Sequence, residues 1–253
     1  DVGLLAYAAG RHPGRRLHLS VQAAASNADA INFYAETFGI RRVATPVDNV
    51  LDMTEVQRRV LRAGGPALRF DAPTSAGRPA AMPVIANLFG TEERVAAGLG
   101  VRRDRVGELG ELLALREPAP VDGLRDALSR WPMIQAALST RPAVVASPPC
   151  QEVRHVGPAV DLAMLPVQTC WPGEPAPLIT WPLVVTRPPD GDWDDTGRYN
   201  LGVYRMQVAD RDSAIMRWLA HRGGAAHHRA WEARGEAMPV AVAIGTGPAT
   251  MLS

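Results

Sequence analysis

Cysteine is nearly missing from this chain. Of 253 residues only Cys150 and Cys170 are cysteines, far apart and without CxxC spacing. A disulfide framework and a zinc ribbon are therefore excluded as organising features, and a reduced, cytoplasmic setting fits, with a single Cys150–Cys170 bridge left open. Long apolar runs are missing too. None approaches the roughly 18–20 residues of a membrane span, and no signal-peptide layout opens the chain, so any membrane association would be peripheral. Charge of one sign is equally missing: 27 basic residues face 26 acidic ones, for a net charge of +1. That balance gives no electrostatic case for nucleic acid or an anionic membrane surface. What remains is an ordinary globular composition, 47% hydrophobic and 21% charged, long enough for one large domain or two ordinary ones.

Along the chain, residues 1–32 are rich in Ala and Arg and weakly patterned. "GRHPGRR" reads as an exposed basic turn, "LHLSV" as a short strand and "QAAASNADAINFYAETF" as a helix. From Arg41 the pattern sharpens. "RRVATPV" reads as a strand, Met53–Ala63 as a helix with Asp52 or Thr54 near its start, "PALRFDA" and "MPVIANLFG" as further strands. Thr91 is placed to cap the helix "EERVAAGLG", with Glu92 and Glu93 in its first turn where the dipole favours negative charge. Helices are expected at about Val106–Leu115 and Val121–Leu138. Beyond Arg141 the composition shifts to proline-punctuated runs of Val, Leu, Ile, Thr and Trp, which suggest short strands rather than a doubly wound sheet. "APLITWPLVVTRPPDGD" and "GRYNLGVYRMQVAD" read as two long strands joined by a Gly/Asp-rich connection. A helix at about Asp212–His221 capped by Ser213 or Asp212, a short helix at Ala226–Arg234 and a strand at Val240–Ile244 complete the expectation. A boundary at residues 140–146 separates an α/β part from a mainly β part.

The chemical candidates cluster late in the chain. On "NLGVYRMQV", alternation puts Asn200, Gly202 and Tyr204 on one face and Leu201, Val203 and Arg205 on the other. Arg205 is either a strand-edge arginine whose head reaches water or a cation held in an apolar pocket to bind a carboxylate. Asn200 offers an amide oxygen suited to a hard divalent cation, though a lone Asn is more often a turn residue. In "MRWLAHRGGA", Arg222-Gly223-Gly224 reads as a helix exit, with Arg222 a grip for phosphate in the functional reading. His221 falls where a histidine serves the helix dipole, and His227-His228 reads as a solvated pair rather than a zinc site. "GTGPAT" lacks the residues of a phosphate loop and reads as a tight turn. No GxSxG motif supports a serine hydrolase, and neither cysteine sits at an electropositive helix start.

Taken in order, "PALRF", "NLFGTEERVAAGLG", "PCQEV", "VDLAMLPVQTCWPGEPAPLITWPLVVTRPPDG", "RYNLGVYRMQV", "IMRWLAHRGGA" and "MPVAVAIGTGPATML" resemble the UbiD family of decarboxylases. The likeness runs from about residue 40 to 253 and is dense from Cys150 onward. It is greatest to bacterial members that decarboxylate 4-hydroxy-3-polyprenylbenzoate on the way to ubiquinone.

This resemblance implies an α+β protein: an atypical segment 1–32, an N-terminal α/β domain at 33–145, and a split β-barrel flavin-binding domain at 146–253, without the family's C-terminal α/β domain. It implies prenylated FMN, supplied by a separate flavin prenyltransferase and bound through Mn²⁺ or another divalent cation. Asn200 would be a metal ligand. Val203, Tyr204, Arg205, Arg217, Trp218, Leu219, Arg222 and Gly223 would line the cofactor, and Arg205 would hold the carboxylate of an aromatic or unsaturated acid. A homo-oligomer is expected of the complete enzyme. The family's metal-ligating glutamate and its proton-delivering acids would follow Ser253. Together with a start at Asp1 lacking an initiator Met, this reads as an incomplete chain. The competing expectations are a non-catalytic flavin-binding or scaffold subunit and, least favoured, an ordinary flavin oxidoreductase.

Overall fold

The computed structural model describes residues 38–107 and 145–252. The turn, strand and helix expected before residue 38, the helix expected at Val106–Leu115 beyond residue 107, and that at Val121–Leu138 lie outside the described residues.

The N-terminal part begins with β1 (Arg41–Val43) and β2 (Val47–Asp48), so "RRVATPV" is two short strands, not one. Thr45-Pro46 supplies the break, since proline cannot donate to a ladder. Helix α1 (Asp52–Arg62) follows, then β3 (Leu68–Phe70), β4 (Pro73–Ser75), β5 (Arg78–Pro79) and β6 (Val84–Ala86). β3 pairs in parallel with β1 and antiparallel with β6, while β4 pairs with β2 and β5. Met53 of α1 drops into the core formed by Leu68, Phe70 and Ala86. Burying such side chains contributes about 1.5–3 kcal/mol each. Helix α2 (Glu92–Leu99) starts as its sequence predicts: the Thr91 hydroxyl accepts the Arg94 N–H at 3.3 Å, and Gly100 closes the helix at φ 70°.

The start of α1 departs from expectation. Leu51 occupies the N-cap with φ 68°, and neither Asp52 nor Thr54 caps the helix. The Asp52 N–H turns back to the Val50 carbonyl at 2.9 Å, a tight γ-turn of a strained kind. Asp48 holds this region. Its carboxylate accepts the Val50, Ala76 and Gly77 N–H groups at 2.9, 3.2 and 2.7 Å and the Thr74 hydroxyl at 2.7 Å. Burial works against the charged form, yet the hydrogen bonds from Gly77, Thr74, Val50 and Ala76 together outweigh it and hold the carboxyl below the usual range. A carboxyl depressed in the folded state contributes stability that is complete above the unfolded pKa of about 4 and is lost as pH falls through the folded value. Asp48→Ala is therefore expected to cost roughly 1–2 kcal/mol near neutrality, allowing for partial exposure, and to flatten stability below about pH 4. Urea melts of both proteins across that range test this; parallel pH curves would show that the nest contributes nothing.

The second part is β-rich, as the proline-punctuated composition suggests. It holds β7 (Leu178–Ile179), β8 (Pro182–Thr186), β9 (Asn200–Val203), β10 (Met206–Val208), β11 (Ala214–Met216), α3 (Gly223–Glu232), β12 (Val240–Ile244) and α4 (Pro248–Leu252). The two expected long strands are each interrupted, one at Thr180-Trp181 and the other at Tyr204-Arg205. Both breaks lie at the same level, so the hairpin changes sheets: β8 and β9 pair with each other and β8 with β12, whereas β7 and β10 pair with each other and β10 with β11. Among the described residues the four sheets have three strands each, and none closes into a barrel.

The helix expected at Asp212–His221 is not formed. Residues 214–216 are strand β11, in register Met206↔Met216 to Val208↔Ala214, with Asp210–Asp212 in the reverse turn that the Ala209 N–H to Ser213 carbonyl bond closes at 3.0 Å. The edge of β10 offered unpaired backbone groups, and that tertiary partner overrode the helical spacing. The two parts are joined by hydrogen bonds around Asn49, which is 2% exposed. Its amide donates to Ser75 Oγ at 2.7 Å and to the Val167 carbonyl at 2.9 Å, and Leu51 N–H reaches the Thr169 carbonyl at 2.9 Å. Helix α4 also seats against Gly98 of α2, with Pro248 and Leu252 nearest.

Candidate functional site

Arg222-Gly223-Gly224 is a helix start rather than the exit its glycines suggest. Arg222 is the N-cap residue of α3, and no side chain caps the helix. Helices α1 and α2 carry Asp52 and Glu55, and Glu92 and Glu93, in their first turns; α3 carries no acid there and a cation instead. A positive side chain at the positive end of a helix is electrostatically unfavourable by itself and becomes favourable once an anion sits between them. Arg205 and Arg217 are exposed on the preceding segment, and the Arg217 N–H bonds the Arg205 carbonyl at 3.3 Å. Among the described residues none of these three guanidinium groups makes an ion pair, whereas Arg42, Arg58, Arg59 and Arg103 all do.

The start of α3 is seated on β9 through Tyr204. Tyr204 is 6% exposed. Its hydroxyl accepts the Gly224 N–H at 3.0 Å and the Asn200 side-chain N–H at 3.2 Å. Its ring meets Trp218 edge-on with centroids 5.0 Å apart. Alternation on β9 holds as expected: Asn200, Gly202 and Tyr204 share the inner face, and a Cβ on Gly202 would come within 2.7 Å of the Tyr204 ring. Two more glycines make the approach possible. A Cβ on Gly224 would lie 2.5 Å from Trp218 and 2.9 Å from Tyr204, and one on Gly223 would overlap the Asn200 amide oxygen. The structure thus gathers Asn200, Tyr204, Trp218 and Gly223 in one place, with Arg222 at the helix cap beside them.

The other sequence-selected residues are placed differently. Val203 and Leu219 are exposed, at 44% and 39%, and Leu201 beside Val203 is also exposed. They present an apolar surface without touching the Tyr204 cluster in any contact described. β9 ends at Val203, so the pleat does not set the direction of Arg205. Arg205 is close enough to Cys170 to act on its thiol, which burial pushes above the usual range while the Thr54 hydrogen bond opposes this, Glu174 adds to it and the Arg205 charge opposes it. Both cysteines are free thiols.

Thr186, which the sequence gives no reason to single out, and His227, expected to be solvated, belong to the same neighbourhood. Thr186 stands directly opposite Asn200 in the β8–β9 register and is 1% exposed. Its hydroxyl lies 2.9 Å from Nδ1 of His227, one turn into α3. His227 is thus not the solvated residue expected. Burial pushes its pKa below the usual value, a hydrogen bond to the Thr186 backbone opposes this, and the Arg198 charge adds to it. The regular spacing of a buried Thr in "PLVVT" opposite Asn200 was the only available signal, and it needs the register to be known. At its far end α3 is anchored by Trp231, whose Nε1 donates to the Arg187 carbonyl at 2.9 Å, while the Arg187 guanidinium lies 3.5 Å above the Trp193 ring.

The residues present fit a phosphorylated flavin held through a cation. Asn200 would offer a neutral oxygen ligand, glycine at 223 and 224 lets the start of α3 approach Asn200 and Tyr204 closely, and that helix start, with Arg222 at its N-cap, supplies positive potential. Among the described residues no group of three or more His, Cys, Asp or Glu could hold a metal. No helix among them is long and apolar enough to cross a membrane.

Comparisons with known proteins bear on the same segments. Residues 33–113 match the model of the 3-octaprenyl-4-hydroxybenzoate carboxy-lyase N-terminal domain, and residues 143–253 that of the Rift-related domain of the same carboxy-lyase, UbiD. Among solved structures, vanillic acid decarboxylase of Sedimentibacter hydroxybenzoicus in its closed form superposes with a TM-score of 0.69 at 22% identity, covering 92% of this chain and 44% of that one. Apo 3,4-dihydroxybenzoic acid decarboxylase of Klebsiella pneumoniae gives 0.65 at 21%, covering 92% and 43%. An evolved dimeric form of the UbiD-class enzyme HmfF from Pelotomaculum thermopropionicum, in complex with prFMN, gives 0.64 at 25%, covering 90% and 45%. The first two speak to fold alone. The chain spans less than half the length of these solved chains.

Proposed function

The chain belongs to the UbiD family, and from that membership we propose that it builds the cofactor site of a carboxy-lyase, which removes CO₂ non-oxidatively from an aromatic or unsaturated acid with prenylated FMN. The single observation that carries this reading is the start of α3, where an arginine caps a helix with no acid in its first turn, directly beside Asn200. When bound, the prenylated flavin supplies the place for the electron pair that CO₂ leaves behind. The chain's own residues do the rest. Asn200 would ligate the cation, Mn²⁺ in our reading, and Arg222 with the start of α3 would neutralise the flavin phosphate. Arg217, Trp218, Leu219 and Val203 flank the flavin, and Arg205 holds the substrate carboxylate. The exposed aliphatic strip of Leu201 and Val203 favours the less polar product over the acid.

The sheet-changing hairpin supports the split-barrel arrangement of this domain, and two free thiols support a cytoplasmic site of action. A 4-hydroxy-3-polyprenylbenzoate substrate, ubiquinone synthesis, a flavin prenyltransferase as cofactor supplier and a homo-oligomer belong to the same proposal, on the strength of the carboxy-lyase match. The test is binding of plain FMN to the purified chain, followed by fluorescence quenching with MnCl₂ or with chelator. Mn²⁺ is expected to tighten binding about tenfold or more, and Asn200→Ala to erase that gain. Absence of any flavin binding would sink the cofactor assignment, and binding indifferent to chelator would sink the cation bridge.

A further inference from the structure

We infer that Tyr204 is a positioning residue for the cation site: its buried hydroxyl fixes which way the Asn200 amide faces, turning the amide oxygen toward Gly223 and the start of α3. This rests on the cofactor reading above and sharpens it, because it moves Tyr204 from the lining of the flavin pocket to the support behind a ligand.

The two ends of an asparagine amide are nearly the same size, so shape alone does not choose between them; hydrogen bonds must. Only an oxygen end can ligate a cation. At this site three observations choose the oxygen. Tyr204 is 6% exposed and its ring is held edge-on by Trp218, so its hydroxyl has little freedom to move. That hydroxyl accepts the Gly224 N–H at 3.0 Å on one side and the Asn200 N–H at 3.2 Å on the other. The Asn200 oxygen is then left at the place a Cβ on Gly223 would occupy, at the positive end of α3 beside Arg222. The reversed amide would put an NH₂ donor against that positive end, which is electrostatically the poorer arrangement.

Tyr204→Phe removes the hydroxyl and keeps the ring packed on Trp218. It is expected to weaken Mn²⁺-dependent FMN binding about tenfold, within the range seen when a ligand's orienting partner is removed. The decisive comparison uses Asn200→Asp. A carboxylate has two equivalent oxygens and no wrong way round, so in an N200D background Y204F keeps only the loss of the Gly224 N–H acceptor and is expected to weaken Mn²⁺ affinity by about threefold or less. A purely structural tyrosine would weaken binding by the same factor in both backgrounds, and that result would overturn the inference, as would a Y204F protein with unchanged Mn²⁺ dependence. Thermal melts of all four proteins separate loss of fold from loss of orientation. If the wild-type chain binds FMN but ignores Mn²⁺, the cation role of Asn200 fails and this inference fails with it; if only the double-mutant comparison fails, the cation role stands.

Discussion

Replacing Arg205 by alanine is expected to abolish decarboxylation by the native holoenzyme, by about a thousandfold, while leaving its flavin bound. The expected size follows from the role proposed for the arginine. A carboxylate must be held with its C–C bond aligned to the reacting face of the cofactor, and misplacement by an ångström alone costs on the order of a hundredfold. Losing the charge-assisted pair that holds it costs a further factor of ten or more. Arg205 is suited to this because it is exposed, makes no ion pair among the described residues, and stands next to the exposed aliphatics Leu201 and Val203. The competing view, a strand-edge arginine whose head merely reaches water, predicts almost no effect, because exposed charges away from partners contribute within about half a kcal/mol. CO₂ release measured beside the flavin absorbance spectrum decides between them. Activity retained within a few fold would end the carboxylate-anchor role. Arg205→Lys is expected to recover little, since an ammonium cannot grip a carboxylate with two parallel bonds.

Gly224→Ala is expected to destabilise the protein by roughly 2 kcal/mol, seen as a melting temperature lower by about 4–8 °C. The sign is the informative part. Gly224 lies inside α3, and by helix propensity alone alanine there should add about 1 kcal/mol of stability. The geometry reverses that. A new Cβ would lie 2.5 Å from the Trp218 ring and 2.9 Å from Tyr204, both stiff aromatics already packed against each other. Relief requires α3 to lift away from β9, which stretches the Gly224 N–H to Tyr204 bond and withdraws the helix start from Asn200. Flavin retention should therefore fall together with stability. A melting temperature that rises would mean that the close approach of α3 to β9 is not a constraint.

How much of this was legible in the sequence depended on whether the deciding partner was local. Thr91 with Glu92 and Glu93 announced α2, because a cap and its dipole partners lie within four residues of each other. Val240–Ile244 and the alternation of Asn200, Gly202 and Tyr204 were legible for the same reason. The helix expected at Asp212–His221 failed because the partner of β11 is the edge of β10, which no window of the sequence contains. Arg222-Gly223-Gly224 was misread because glycine usually ends helices. Here glycine serves close approach to Tyr204 and Asn200, a requirement that comes from twenty residues upstream. The interruption of both long strands was invisible, since each half has ordinary strand composition. Asn200, Arg205 and Arg222 stood out through resemblance more than through spacing. His227 stood out only as half of a solvated pair, and Thr186 not at all: a buried threonine becomes informative only once register sets it opposite Asn200.

The paired interruptions at Thr180-Trp181 and Tyr204-Arg205 form a seam between two sheets, and Arg205 emerges from it. A residue inside a sheet has its direction dictated by the pleat and its identity constrained by neighbours on both strands. A residue on a seam has neither obligation. Trp181, 53% exposed and tilted against Phe89, can therefore be exchanged without disturbing the register on either side, and Arg205 can swing toward what it binds while the strands around it hold still. The seam thus lets a charged group move on a frame that stays fixed.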